Sequence, residues 1–269
     1  MTRVLVTGAS GFIGSAIVRR LERDGHQAIP LEANLLADDL PNLAATGATH
    51  CIHTAWYTNH ADYLTNDINR SWVAASLRLA RAFPGRFIGL GTCLEYDVAN
   101  AAGPCAEGRT PLRPETLYAR CKLELLEALA KSDLDFAWAR IFFVYGPGDR
   151  TGRLIPQMLD QFRRGEPAEP SYGGLGRDYI HVDDLADQIV RIATSDVRGA
   201  VNTGTGEAPT LSDICVALGA AFGRPDLALT NSETGGQPPL IQADLEHFRA
   251  AVGEPQARGI AEGLQDLIG

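Results

Sequence analysis

Arg3-Val4-Leu5-Val6-Thr7-Gly8-Ala9-Ser10-Gly11-Phe12-Ile13-Gly14 is the stretch on which the reading of this chain turns. A short apolar run leads into three glycines spaced three apart. From Phe12 to Asp24, Ile13, Ala16, Ile17 and Leu21 then recur at helical spacing and leave Arg19, Arg20, Glu22 and Arg23 outward. Strand, glycine turn and amphipathic helix in that order make a place for a dinucleotide pyrophosphate. Glycine permits the tight turn and clears side chains from the path of the phosphate, while free N–H groups at the positive end of the helix meet its charge. Cofactor contacts are therefore expected at Gly8, Gly11, Phe12, Ile13 and Gly14. The spacing is Gly-x-x-Gly-x-x-Gly, not the commoner Gly-x-Gly-x-x-Gly.

Outward from this turn, short apolar runs alternate with helical patterns. Strands are expected at Gln27 to Leu31, His50 to Thr54, Arg86 to Gly91 and Phe136 to Val144, and helices from about Asn69 to Ala82 and from Tyr118 to about Lys131. This order implies parallel βαβ units, an α/β chain with a doubly wound parallel sheet. Glu32 ends the second strand, where an acid hydrogen-bonds the adenosine ribose and disfavours a 2′-phosphate, so that NAD is preferred to NADP; a solvated loop carboxylate is the other reading. Asn34-Leu35-Leu36-Ala37-Asp38-Asp39 follows so closely that the usual third strand is expected to be shortened or lost. Beyond Tyr145-Gly146-Pro147-Gly148-Asp149, glycine and proline punctuate the chain as loops between further apolar segments.

Composition narrows the function. A net charge of −9 over 269 residues, with scattered arginines and no basic block, argues against a general nucleic-acid binder. Five cysteines without a Cys-x-x-Cys pair favour neither a disulfide framework nor a metal site, and reduced thiols fit a cytoplasm. No segment is long and apolar enough to span a bilayer, and Met1 runs directly into a strand without a leader, so the reading is a soluble, unexported protein with no membrane partner. Only two lysines occur, and Lys122 lies four residues after Tyr118. On a helix these side chains share a face, and a nearby ammonium draws a phenol pKa down from about 10 toward proton transfer at neutral pH.

These motifs occur in one order with Thr92 in Gly91-Thr92-Cys93-Leu94-Glu95-Tyr96, with Tyr145-Gly146-Pro147, and with Arg177-Asp178-Tyr179-Ile180-His181-Val182-Asp183-Asp184. Together they resemble the extended short-chain dehydrogenase/reductases of the nucleotide-sugar epimerase, dehydratase and 4-ketoreductase group, over nearly the whole chain. The resemblance implies a Rossmann domain of residues 1–149 plus about 178–204, and a small C-terminal substrate-binding cap of about 150–177 plus 205–269. It implies catalytic roles for Thr92, Tyr118 and Lys122. Thr92 and Tyr118 would bind the reacting oxygen, Tyr118 would pass the proton, and Lys122 would hold the nicotinamide ribose of NAD or NADP and depress the tyrosine pKa. Asn69 matches a helix asparagine on the cofactor side, with an ordinary first-turn residue equally open. Arg177 and Arg153 are the candidates for the diphosphate of a nucleotide-sugar substrate, a surface ion pair being the other reading of Arg177. His181 is read as a packed histidine. Phe143 stands where many epimerases carry a substrate-binding asparagine. A homodimer is usual among such relatives.

The residues after Thr92 sort the reactions. Dehydratases of this group carry Asp-Glu there, and this chain has Cys93-Leu94. Relatives that epimerise beside a ketone place a cysteine where Leu94 stands. What remains needs Thr, Tyr, Lys and nicotinamide alone. The expectation is NAD(P)H-dependent reduction of a nucleotide-activated 4-keto-6-deoxyhexose, with a C4 epimerase that retains its NAD as the alternative. A nonenzymatic dinucleotide sensor is the reading from another class; it would need none of the three residues.

Overall fold

Val4, Leu5 and Val6 are wholly buried, which a strand covered on both faces requires. The computed structural model describes residues 1–37, 39–149 and 152–268. In chain order they form β1 (Arg3–Thr7), α1 (Phe12–Arg23), β2 (Gln27–Leu31), β3 (His50–His53), α2 (Ile68–Ala82), β4 (Arg86–Thr92), α3 (Leu117–Ala130), β5 (Phe136–Ile141) and β6 (Phe143–Tyr145). There follow α4 (Leu154–Arg164), β7 (Gly176–Arg177), β8 (Tyr179–His181), α5 (Val182–Thr194), β9 (Gly199–Thr203), α6 (Leu211–Ala221), β10 (Leu240–Ile241), α7 (Glu246–Val252) and α8 (Ile260–Gln265). Six strands make one parallel sheet in the order β2-β1-β3-β4-β5-β9.

Side chains alternate across this sheet. Val4 and Val6 pack with Ile17 and Leu21 of α1 and Leu185 and Ile189 of α5 on one face. Leu5 packs on the other with Val73 and Leu79 of α2 and Leu125 and Leu129 of α3. A separate core joins Met158 and Phe162 of α4, Ile214 and Leu218 of α6 and Leu264 of α8. Ile241, Ala243 and Phe248, late in the chain, pack into the core shared by the sheet, α1 and α5.

Two departures from a regular doubly wound sheet matter. The segment after β2 forms no strand among its described residues, so the sheet ends at β2; Asp38 lies outside the described residues. In place of pairing, Arg78 of α2 donates to the carbonyls of Leu35 (2.8 Å) and Ala37 (2.5 Å) and ties the segment down. The second departure corrects the expected strand from Phe136 to Val144, which breaks at Phe142. Ile141 is the last residue paired to β9, and the Phe143 N–H turns to the Asp178 carbonyl (3.0 Å) as β6 pairs with β8. The break is caused by a distant partner, which local periodicity does not reveal.

Candidate active site

A cleft of about 410 Å³ opens over the C-terminal edge of the sheet, lined by the glycine turn, the ends of β3, β4 and β5, and α3. At the turn Gly8 takes φ +64°, and a Cβ there would press on Thr54 Oγ1 and the Ala55 backbone, so glycine is required. The first rung of α1 is the Ser15 N–H donating to the Gly11 carbonyl at 2.9 Å. The amides of Phe12, Ile13 and Gly14 precede that rung, no acidic residue stands in the first turn, and no side chain caps it. The turn therefore fits an anion such as a dinucleotide pyrophosphate.

Helix α3 starts at the Thr116 cap, whose hydroxyl accepts the Ala119 N–H (3.2 Å). Its Tyr118 N–H donates to the Leu64 carbonyl (3.1 Å), which fixes the loop after β3 against the helix. The Tyr118 ring meets Tyr63 edge-on at 5.2 Å and Trp56 at 6.4 Å. Lys122, 5% exposed, donates from Nζ to the Leu90 carbonyl at 2.8 Å, and Nζ lies 3.7 Å from the Trp56 ring centroid but 5.8 Å from that of Tyr118. The shared helix face is as expected. The electrostatic expectation is corrected: burial, joined by Tyr63 and Glu95, pushes the Tyr118 phenol well up from its ordinary value. Burial likewise lowers Lys122 to about 7, and Glu95 opposes that shift. The aromatic wall desolvates both groups, an effect that i, i+4 spacing does not carry.

Thr92 ends β4 in extended backbone, and its hydroxyl accepts the Leu94 N–H at 3.3 Å. The Thr92 N–H donates to Oε1 of Glu95 (2.9 Å), a reciprocal cap that fixes the residue in the cleft wall. Glu95 is fully buried; it also accepts from Trp138 Nε1 (3.0 Å) and pairs with Arg140 Nε (2.7 Å). Arg140 continues to the Tyr96 hydroxyl (3.1 Å), which donates to Asn202 Oδ1 (2.8 Å). A Cβ on Gly91 would overlap Trp138 Nε1 and the Glu95 carboxylate, so this close approach dictates that glycine.

Arg153 lines the cleft, donating to His60 Nε2 (2.6 Å) and Asp149 Oδ1 (3.1 Å). Arg177 is not among the lining residues. It is buried against the Phe143 ring (5.8 Å), donates to the carbonyls of Gly176 and Pro238 (both 2.9 Å), and has no carboxylate within ion-pair distance among the described residues. A surface ion pair with Asp178 or Asp183, the other reading of Arg177, does not form. Asp178 instead accepts from Thr205, Gly206 and Ala243, and burial lowers the Arg177 pKa. Asn69 does not line the cleft either: it is fully buried, with Nδ2 donating to the Tyr63 and Asn66 carbonyls (2.7 and 2.8 Å) and Oδ1 accepting from Trp56 Nε1 (2.8 Å). Glu32 is exposed just past β2. His181 is buried, accepts the Asp183 N–H and lies edge-on to Tyr145 at 5.4 Å.

Sequence reasoning missed Trp56, Tyr63 and the Glu95–Arg140 pair. The signals available were an aromatic just beyond the third strand and an acid three residues after Thr92. Among the described residues no cluster of His, Cys, Asp and Glu stands ready for a metal ion, and no helix is long and apolar enough to cross a membrane.

The chain is similar to a probable UDP-glucuronate 4-epimerase of Rhizobium meliloti (strain 1021), 25% identical with 99% of this chain and 96% of the relative covered. It is also similar to a dTDP-4-dehydro-6-deoxy-D-allose reductase of Streptomyces bikiniensis, 27% identical over 98% and 94% of the two chains. Among solved structures, MoeE5 in complex with UDP-glucose and NAD superposes with a TM-score of 0.77 at 25% identity, covering 99% of this chain and 97% of that one. With residues 4–204 matching its pattern, this chain belongs to the NAD dependent epimerase/dehydratase family.

Proposed function

We propose that this enzyme reduces the 4-keto group of a nucleotide-activated 6-deoxyhexose, using NADH or NADPH. The observation that carries the reading is that the positions following Thr92 offer Tyr118 and Lys122 no free acid or base. Cys93 and Leu94 follow Thr92, burial pushes the Cys93 thiol well up, and the next acid, Glu95, is occupied by Thr92, Trp138 and Arg140. A C4 ketone needs only a hydride at carbon and a proton at oxygen.

The glycine turn and Lys122 would hold the dinucleotide, with Glu32 favouring NAD. Bound nicotinamide would supply the hydride. Thr92 and Tyr118 would both donate to the substrate oxygen as it becomes an alkoxide, and Tyr118 would deliver the proton. A phenol whose pKa is raised is held protonated, which suits a donor in the reductive direction. Arg153, in the cleft, and Arg177, a buried cation with no carboxylate partner among the described residues, are proposed for the substrate diphosphate. Leu94, Phe143 and Tyr63 give the sugar end an apolar wall that accommodates a C6 methyl. Five buried, unpaired cysteines are in keeping with work in the cytoplasm.

The test offers both reduced cofactors with a panel of nucleotide-4-keto-6-deoxy sugars and follows nicotinamide oxidation. Turnover with a ketone supports the reading. A C4 epimerase is the second reading, favoured by the 4-epimerase among the relatives. Stoichiometric nicotinamide released on denaturation, with interconversion of 4-hydroxy epimers and no net cofactor consumption, would decide for it. If Tyr118→Phe changed neither turnover nor binding, catalysis by this site would be refuted; dinucleotide binding with no turnover of any ketone or epimer would leave a sensor.

A further inference from the structure

We propose that Trp56 is a positioning residue for Lys122: its indole face, oriented by Asn69, carries the ammonium group into the cleft. The inference rests on reading Lys122 as part of the cofactor and proton-transfer site. A lysine this buried ordinarily has a carboxylate partner, yet among the described residues Lys122 makes no ion pair; its nearest partners are the Leu90 carbonyl (2.8 Å) and the Trp56 ring (3.7 Å to the centroid), with the Tyr118 and Trp138 rings farther off at 5.8 and 6.0 Å. The indole supplies the missing negative face through its ring quadrupole.

The indole is itself held from several sides. Its N–H donates to Asn69 Oδ1 (2.8 Å), Trp72 stacks on it at 5.9 Å, and Tyr118 meets it edge-on at 6.4 Å. Asn69 spends both amide hydrogens on the carbonyls of Tyr63 and Asn66, so the side chain that orients Trp56 also sets the loop bearing Tyr63. This explains why Asn69 stands in the first turn of α2 without reaching the cleft. Asn69, Trp56 and Lys122 form a relay of position, each fixed by the one before.

The charged and titratable groups facing the ammonium are Tyr118 on its own helix, Glu95 beyond β4 and His53 on β3. Glu95 favours the ammonium. His53, lowered to about 3 by burial and by Lys122, is neutral across the working range.

With only two lysines in the chain, the proposal can be read directly. Lysine labelled with ¹³C and ¹⁵N gives two side-chain signals, and exposed Lys131 serves as the internal reference. The Lys122 ε-methylene is expected upfield, under the indole ring current, with a titration midpoint near 7. Trp56→Leu should abolish the upfield shift and lower the midpoint by about one pH unit, a tenfold loss of proton affinity, with Trp56→Phe between the two. A wild-type Lys122 signal without an upfield shift would overturn the proposal even if the leucine variant failed to fold. So would a folded Trp56→Leu protein in which shift and midpoint were unchanged. Lys122→Met, assayed for turnover, separates the two levels: full activity would remove the catalytic reading of Lys122 while the spectra still judged Trp56.

Discussion

Replacing Glu95 with leucine strips one buried carboxylate from three partners at once. Arg140, its side chain 4% exposed, keeps the Tyr96 hydroxyl but loses its counter-ion, and the N–H groups of Thr92 and Trp138 lose their acceptor. Breaking a buried ion pair from one side costs about 3–5 kcal/mol, because the remaining charge stays desolvated. With a urea m-value of roughly 3 kcal/mol/M for a chain of this size, a loss of about 4 kcal/mol lowers the unfolding midpoint by about 1.3 M. The paired change Glu95→Leu with Arg140→Met removes the stranded charge and should recover about half of the loss, since apolar replacement of a whole buried pair is often near neutral. Turnover should not recover, because the Thr92 N–H still lacks the carboxylate that fixes it. Urea unfolding followed by tryptophan fluorescence, with parallel activity assays, measures both. A single variant that costs under about 1 kcal/mol, or a double variant no more stable than the single, would refute the view that Glu95 and Arg140 form one interdependent support.

Tyr118→Phe should lower kcat by about 10²–10⁴-fold while cofactor affinity, measured by titration, stays within a few-fold. Arg177→Met should leave stability within about 1 kcal/mol, since no carboxylate is stranded, yet raise KM for the nucleotide sugar at least tenfold; an unchanged KM would leave the diphosphate to Arg153. Burial holds the folded pKa of Lys122 near 7, below its unfolded value near 10.4, so the unfolded chain binds more protons between those limits. Stability should therefore rise from pH 7 toward pH 10 by up to about 1.4 kcal/mol per unit, and Lys122→Met should flatten that rise in denaturation curves.

The chain declares its fold where the physics is local. The run from Arg3 to Gly14 specifies strand, turn and helix through neighbours in sequence, and the Thr92 strand end and the Tyr118–Lys122 spacing are local as well. The rest depends on register. Gly91 pairs with Arg140 across β4 and β5, and only that pairing brings Glu95 to the guanidinium. The break at Phe142 waits on Asp178, far along the chain, and the raised Tyr118 pKa waits on Tyr63 and Trp56 arriving from the loop after β3. Asn69 shows the same limit in reverse. Its position agreed with a cofactor-side residue, but its amide is spent on Trp56, Tyr63 and Asn66.

Ending the sheet at β2 leaves that strand with an open flank, the kind of edge on which another chain can add a strand. The Gln27 N–H donates inward to the Thr2 carbonyl, so by alternation Gln27, Ile29 and Leu31 face β1, and Ala28 and Pro30 face outward. Proline has no N–H to offer. Of the two outward donors such a strand would present, only that of Ala28 remains. The shortened sheet thus carries its own guard against edge-to-edge aggregation, placed on the strand that the missing neighbour would have covered.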